Sequence, residues 1–273
     1  MKKTVVLLVV LVIATVSYGQ QTDSGNTLSF MVGPGYSARQ DLIFSPLVHR
    51  DLSSVNVGLA YTRNAKAYQS LVVRYANFDP IVSEPYQFFD HGESKTAGPH
   101  YFTLVDIDYS IGKSVAQSER STTTLGGRLS SDLQLLNYAY GRVGSTGYYL
   151  SFGLGPFIKQ DYQISERSRL TAQLQLPLIS WLARSPYLVN DDEFIENISA
   201  HSDFKSFAAF IGDGNFATLN QVQSLDLSVG YAYRLSQKWK IGADYWFEFI
   251  HASSPRSLLS LRNSLNFSAN FTF

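Results

Sequence analysis

Apolar and polar residues alternate with a period of two along most of this chain. In residues 53–63, Val55, Val57, Leu59 and Tyr61 share one face, while Asn56, Gly58, Ala60 and Thr62 share the other. Residues 222–235 set Leu225, Leu227, Val229, Tyr231 and Tyr233 against Asp226, Ser228, Gly230, Ala232 and Arg234. Residues 238–250 set Trp239, Ile241, Ala243, Tyr245, Phe247 and Phe249 against Lys240, Gly242, Asp244 and Glu248. At the end, Leu265, Phe267, Ala269, Phe271 and Phe273 alternate with Asn266, Ser268, Asn270 and Thr272. Successive side chains of a strand point to opposite faces, so the pattern predicts strands with one apolar and one polar side. Ten segments qualify: 27–36, 53–63, 67–78, 100–112, 122–138, 148–158, 169–181, 222–235, 238–250 and 262–273. Leu135 and Leu136 break the alternation of the fifth and predict a bulge. Pro34, Pro156 and Pro177 lack a ladder N–H and are expected at bulges or strand ends.

These segments are long for a soluble sheet, whose strands usually have about 5–6 residues. They suit tilted strands crossing about 25–30 Å of hydrocarbon. Lipid requires every backbone group to be bonded internally, which leaves helices and closed barrels as spanning structures. Beyond the first 19 residues, no stretch has the run of about 18 uncharged apolar residues that marks a spanning helix. The predicted fold is therefore all-β, a closed antiparallel transmembrane barrel of ten strands, with eight and twelve as the neighbouring counts. Links at 63–66, 113–121, 159–168 and 236–238 fall at one end, and links at 37–52, 79–99, 139–147, 182–221 and 251–261 at the other. Short turns on one side and long loops on the other put both termini at the periplasmic end. The longest loop, 182–221, is expected outside the cell and partly helical. Asn190 and Ser202 are candidate caps there, and Phe204, Phe207, Ala208 and Ile211 follow helical spacing to pack over the barrel rim.

The first residues add a compartment. Lys2 and Lys3 precede an apolar run from Val5 to about Ile13, with Ser17 and Gly19 following. This reads as a secretory signal over residues 1–19, leaving residues 20–273 as one barrel domain. The whole chain carries 22 basic and 22 acidic residues, so no basic excess points to nucleic acid. It has no cysteine, which excludes disulfides and thiolate metal sites. Its 17 tyrosines and 18 phenylalanines are abundant for a chain of near-zero mean hydropathy. A barrel reconciles the two, because half of each strand faces a polar interior.

The signal, the alternating strands and the terminal Phe273 together resemble the outer-membrane β-barrel proteins of diderm bacteria. That resemblance covers nearly the whole mature chain and identifies no subfamily. It implies location in the outer membrane after secretion through the inner membrane, a lipid bilayer partner, and folding by the barrel-assembly machinery. It also implies that the last strand carries the assembly signal, here Leu265, Phe267, Phe271 and Phe273, and pairs with the first to close the cylinder.

Candidate chemistry lies on the inward face. Arg74, Arg128, Arg234, Lys240 and Arg262 are expected inside with Asp106, Asp108, Asp132, Asp226, Asp244 and Glu248. The near balance predicts an ion-paired interior more than a selective pore. Centring the 236–238 turn on Gln237 sets Arg234 opposite Lys240, Gly230 opposite Asp244 and Asp226 opposite Glu248. Arg262 is then expected to lie between Asp226 and Glu248. Together with Arg74, Asp106 and Asp108, these three form a candidate lumen charge cluster. The sequence holds no G-x-S-x-G, H-E-x-x-H or G-x-x-x-x-G-K-[ST] motif, and no cofactor or metal is expected. His49, His91, His100, His201 and His251 gather near the long loops, and Asp90, His91 and Glu93 form a short cluster of metal-ligating types. The expected function is a non-catalytic barrel, either a narrow pore or a structural and interaction protein. A hydrolase acting on lipid or peptide at the outer rim and an accessory subunit of an envelope complex are the alternatives.

Overall fold

The computed structural model describes residues 25–80, 87–96, 100–140, 143–185 and 203–273. The expected signal, residues 1–19, lies outside them, as does the cap candidate Asn190. Alternation of apolar and polar positions drives long strands: β1 (Gly25–Asp41), β2 (Ser45–Asn64), β3 (Tyr68–Phe78), β6 (Tyr101–Gln117), β7 (Ser121–Tyr140) and β8 (Val143–Gln163). A small hairpin of β4 (Gln87–Asp90) and β5 (Glu93–Thr96) interrupts the 79–99 link. The second half contains β9 (Ser168–Gln175), β10 (Ile179–Arg184), α1 (Asp203–Gly212), β11 (Asn215–Thr218), β12 (Val222–Arg234), β13 (Trp239–Ala252) and β14 (Leu258–Thr272).

The strands close into one antiparallel ring. β1 pairs with β2 on one side and with β14 on the other, from Thr27 opposite Thr272 to Asp41 opposite Leu258. Around the ring come β3, β6, β7 and β8, then β9 continued by β10, then β12 extended by β11, then β13. Counting each interrupted pair as one stave gives ten. Closure leaves no sheet edge for lipid to strand.

The predicted prolines sit where the ladder is broken. Pro34 lies in the register shift between Gly33 and Gly35. Pro177 separates β9 from β10, and Pro156 of β8 faces that break. The expected bulge at Leu135–Leu136 does not exist, since β7 keeps one register with β6 from Asn137 down to Thr124. Leu135 simply points out and Leu136 in, because the inward face turns apolar at that height. The shift in this pair lies instead between Ser114 and Ala116 of β6.

The strands outrun the predicted segments. β2, β7 and β8 have 20, 20 and 21 residues, about twice what a tilted membrane strand needs. Most of the expected loops 37–52, 139–147 and 251–261 are therefore strand. The turn between β1 and β2 is only 42–44, and Phe44 N–H closes it on the Asp41 carbonyl at 2.9 Å. The outward face marks the hydrocarbon with exposed Leu28, Phe30, Leu59, Leu71, Val73, Leu154, Ile241 and Phe267. Farther toward the loop end it becomes mixed, with exposed Arg50 between exposed Val48 and Leu52. Aromatic rings flank the band, with Trp239, Phe271 and Phe273 clustered at the turn end. At the loop end, Asn77 donates its amide to the Tyr75 and Tyr101 hydroxyls.

Helix α1 neither caps nor plugs the barrel. It lies on the outer wall, where Phe210 stacks on Tyr148 at 4.2 Å and Trp181 Nε1 donates to the Ile211 carbonyl. Its packing residues are Phe210 and Ile211, against Tyr148, Leu150 and Ala183. Phe207 and Ala208, expected on the packed face, are exposed. The helical spacing is present, but the outer wall offers the helix only Tyr148, Leu150 and Ala183, which cover one edge of it. The side chain of Phe204 and the cap candidate Ser202 lie outside the described residues.

The residues expected to carry the assembly signal all lie on or just beyond β14. Leu265 and Phe267 point outward and are exposed, Phe271 is opposite Leu28 and Trp239, and Phe273 follows the strand. At the β1–β14 seam, a Cβ on Gly33 would fall 1.9 Å from the Leu265 carbonyl oxygen, whereas one on Gly127 would meet nothing within 4 Å. Gly33→Ala is expected to destabilise the barrel by roughly 1–3 kcal/mol, as overpacking does. Gly127→Ala is expected to change it little. Thermal unfolding in detergent, followed by heat-modifiable gel mobility, compares the two, and equal transitions would contradict the close seam.

Candidate functional site

Three inward layers fill the lumen from turn end to loop end. The lowest is a water-accessible basin of about 240 Å³, lined at its base by Lys159, Asp161, Arg169, Arg234, Lys240 and Asp244. A second space of about 190 Å³ continues upward from it to Arg74, Asp108, Arg128, Asp226 and Glu248.

Above the basin those residues form the middle layer, an ionic lattice. Alternation places each of them inward, and the narrow barrel lets long side chains reach the opposite wall. Arg262 on β14 meets Glu248 through Nε and Asp106 on β6 through Nη2. Arg74 on β3 meets Glu248 on β13, and lies 3.4 Å from Asp106 and 3.5 Å from Asp108. Arg128 on β7 is 2.7 Å from Asp108 and 3.7 Å from Asp226 on β12. Asp132 faces Asp106 across the β6–β7 pair. The Arg74 guanidinium also lies 4.2 Å from the centroid of the Trp246 ring. Six staves are thus tied through one set of charges. Burying ions costs desolvation, so such a lattice holds only while every charge keeps its partners.

The candidate cluster Arg74, Asp106, Asp108, Asp226, Glu248 and Arg262 is brought together, with one correction to its wiring. The predicted register is present, with Asp226 opposite Glu248, Gly230 opposite Asp244 and Arg234 opposite Lys240. Arg262 does lie opposite Glu248. It does not bridge Glu248 to Asp226, however. Its second partner is Asp106, and Asp226 turns to Arg128. Register specifies neighbours along the wall, whereas these partners are chosen across the lumen.

The top layer is a plug built from the upper ends of the predicted segments together with Phe44, Ala217, Ala252 and Leu258, which lie beyond them. Phe44, Phe78, Phe102, Leu136 and Tyr138 pack into one buried cluster. Beside it Tyr149, Ala217, Ile250, Ala252 and Leu258 form a second. Arg39 joins them by donating to Gln134 Oε1 at 2.7 Å and pairing with Asp41 at 3.0 Å. Asp41 in turn pairs with Arg184 at 2.9 Å, and Arg184 also donates to the Ser254 and Arg256 carbonyls. The signal for Arg39 and Asp41 was available, because Gly33, Gly35, Ser37, Arg39 and Asp41 continue the period of two. So too do Lys159 and Asp161 after Gly153, Gly155 and Phe157. Inward Trp246, between outward Tyr245 and Phe247, was equally readable.

His49 and His100 belong to the plug. Their ring centroids are 4.7 Å apart, and both rings touch Tyr138 and Phe102. They lie beyond the hydrocarbon, since His49 is 15 residues from the turn end of β2 at Asn64 and a tilted membrane strand needs about 9–11. Burial first, and then the neighbouring His100, pull the His49 imidazole down to about 4. Burial also lowers His100. His251 is on the outward face of β13, away from the lumen. His91 is an exposed hairpin tip, where Asp90 also pairs with Lys95. Among the described residues no group of three or more His, Asp and Glu side chains is placed to hold a metal ion. His201 lies outside the described residues.

Two outcomes follow. Arg262→Ala is expected to cost about 3–5 kcal/mol, because it leaves Glu248 and Asp106 short of a cation. Adding Glu248→Gln should return part of this, and adding Asp106→Asn as well should return more. Thermal unfolding of the single, double and triple variants measures it, and strictly additive losses would contradict the lattice. The second outcome concerns pH. A neutral histidine with its folded value at about 4, against an ordinary 6.5, makes the unfolded chain bind more protons between those values. Stability from His49 is therefore complete above pH 6.5, falls as pH drops toward about 4, and changes no further below. His49→Phe should flatten this part of the profile in thermal unfolding across that range. An unchanged slope would contradict burial of the neutral ring.

The sequence matches no protein-family model and no curated protein. Solved structures do match. The outer membrane protease OmpT of Escherichia coli superimposes with a TM-score of 0.59 at 8% identity, covering 96% of this chain and all of that one. The translocator domain of the autotransporter NalP from Neisseria meningitidis gives 0.45 at 7% identity, covering 91% and 89%. Neisserial surface protein A gives 0.38 at 9% identity, covering 93% and 100%. At such identities the likeness concerns the path of the backbone. The chain has the fold of the bacterial outer-membrane β-barrel proteins, as a closed ten-stranded antiparallel barrel.

Proposed function

We propose that this protein is a non-conducting outer-membrane barrel that works through its surfaces, with its termini and basin facing the periplasm. The observation that carries this reading is the stack of two inward layers, the ionic lattice and the aromatic plug. An eight-stranded barrel is filled by side chains and 16–18 strands leave a channel, so ten strands stand near the filled limit. Here the filling is specific. Tyr138, Tyr149, Phe78, Leu136, Leu258, His49 and Asp41 are all buried inside the wall. The narrow-pore alternative needs a continuous wet path, which these side chains occupy. The rim-hydrolase alternative draws no support from His251, which faces outward, or from His49 and His100, which are packed among rings. Location in the outer membrane and folding by the assembly machinery follow by analogy of fold and belong to the same proposal. The links at the turn end are a few residues each, whereas the β3–β6 and β10–β11 connections at the other end are long, which supports this orientation.

Planar-bilayer recording of the purified protein tests the reading. The wild type is expected to give no steady ion conductance. Regular unitary openings of the folded protein would overturn the non-conducting assignment.

A further inference from the structure

Among the described residues, an apolar surface at the loop end of the outer wall stays uncovered. Its level follows from β8. The outward residues of that strand run from exposed Tyr162 near the turn end through exposed Leu154 to Phe152, Leu150 and Tyr148. A tilted strand crosses the hydrocarbon in about 9–11 residues, so Phe152 stands near its outer boundary. Trp181 on β10 is opposite Phe152, and Phe216 on β11 is opposite Trp181. The two rings meet edge to face with centroids 5.0 Å apart, yet Phe216 remains 78% exposed. Exposed Ile179, opposite Leu154, continues this surface down into the hydrocarbon band.

Helix α1 is tied to the same spot. Trp181 Nε1 donates to the Ile211 carbonyl at 2.9 Å, and a Cβ on Gly214 would run into the Trp181 ring. The chain therefore passes from α1 to β11 hard against that indole. At 3.6 residues per turn, Phe207, Phe210 and Ile211 share one side of the helix, and Lys205 stands across the axis from Phe207. The wall takes up Phe210 and Ile211. Phe207 is left 37% exposed one turn away, with Ala208 exposed beside it. The apolar side of α1 is thus broader than its seat on the wall. An amphipathic helix at such a level lays its apolar side into the boundary between headgroups and acyl chains. Aromatic rings collect at the same depth.

We infer that α1 and β11 form an interfacial anchor, with Phe207 and Phe216 seated among the acyl chains of the bilayer leaflet at the loop end and Lys205 turned to its headgroups. The surface is continuous with the lipid-facing wall, which is what names lipid as its partner. The inference rests on the barrel standing in a bilayer and is independent of whether it conducts.

Spin labels test it. The chain has no cysteine, so each single substitution carries one label. The full chain is labelled at Phe207→Cys, Phe216→Cys or Lys205→Cys and reconstituted in phosphatidylcholine vesicles. Oxygen concentrates among acyl chains and a nickel chelate stays in water, so power saturation against each reads the surroundings of the label. Labels at 207 and 216 are expected to meet oxygen several-fold more readily than the chelate, and the label at 205 the reverse. Leu154→Cys, in the hydrocarbon band, should behave as the first two, and His91→Cys, at the exposed hairpin tip, as the third. A label at 207 that meets the chelate as readily as the label at 91 would overturn the inference. So would a label there shielded from both reagents, which would place protein over the site, or dipolar broadening between labels, which would place a second copy there. Water contact at 154 would instead overturn the bilayer seating beneath it. Should Phe207→Cys lose heat-modifiable mobility, Ala208→Cys carries the test with the same outcomes.

Discussion

Three guanidinium groups hold the middle of this barrel, and each joins a carboxylate on a neighbouring strand to one across the lumen. Arg262 reaches from β14 to Asp106 on β6, and Arg74 from β3 to Glu248 on β13. Hydrogen bonds of the ladder fix neighbouring strands to each other, but they leave the cross-section of a ten-stranded cylinder free to flatten. Ion pairs across the lumen resist that deformation. Their cost is desolvation, which the lattice offsets by giving its cations several carboxylates each. The same arrangement obliges the layers on either side to differ. Above it the wall has left the membrane and packs as an ordinary apolar core. Below it the lumen stays wet.

This division explains where the polar and aromatic residues of one face go. Along β7 the inward positions run from Gly126 and Arg128 through Ser130, Asp132 and Gln134 to Leu136 and Tyr138. Period two never changes, yet the chemistry passes from open lumen through lattice to plug. Along β1 the inward series ends in Arg39 and Asp41, which stitch the plug to β7 and β10. Outside the wall, Tyr148 and Leu150 leave lipid-like exposure only because α1 covers them.

Much of this was legible in the residues because the side-chain period of a strand is two. The ten staves, the inward set of charges and the hairpin register at 236–238 follow from that rule and from one tight turn. The strand ends do not, because the apolar members carry the alternation. Beyond the hydrocarbon the outward face mixes charged and apolar residues, as Arg50 does between Val48 and Leu52, and the signal fades while the strand continues. The second partner of Arg262 is hidden from the sequence for a different reason. Sequence separation and register speak of adjacent strands, whereas Asp106 lies four staves away around the ring. The seat of α1 was also hidden. Helical spacing marks an apolar face, but nothing in it says which wall that face meets.

The account rests on Arg262 being buried and bonded at the centre of the lattice. Its Nε–H donates to Glu248, whereas Arg256 is exposed. Exchange of the arginine Nε–H protons with water, followed by NMR of the barrel in detergent, reports this directly. The Arg262 proton is expected to exchange far more slowly than that of Arg256 and to lose this protection in Glu248→Gln. Equally fast exchange of the two in the wild type would contradict a lattice that closes the barrel's middle.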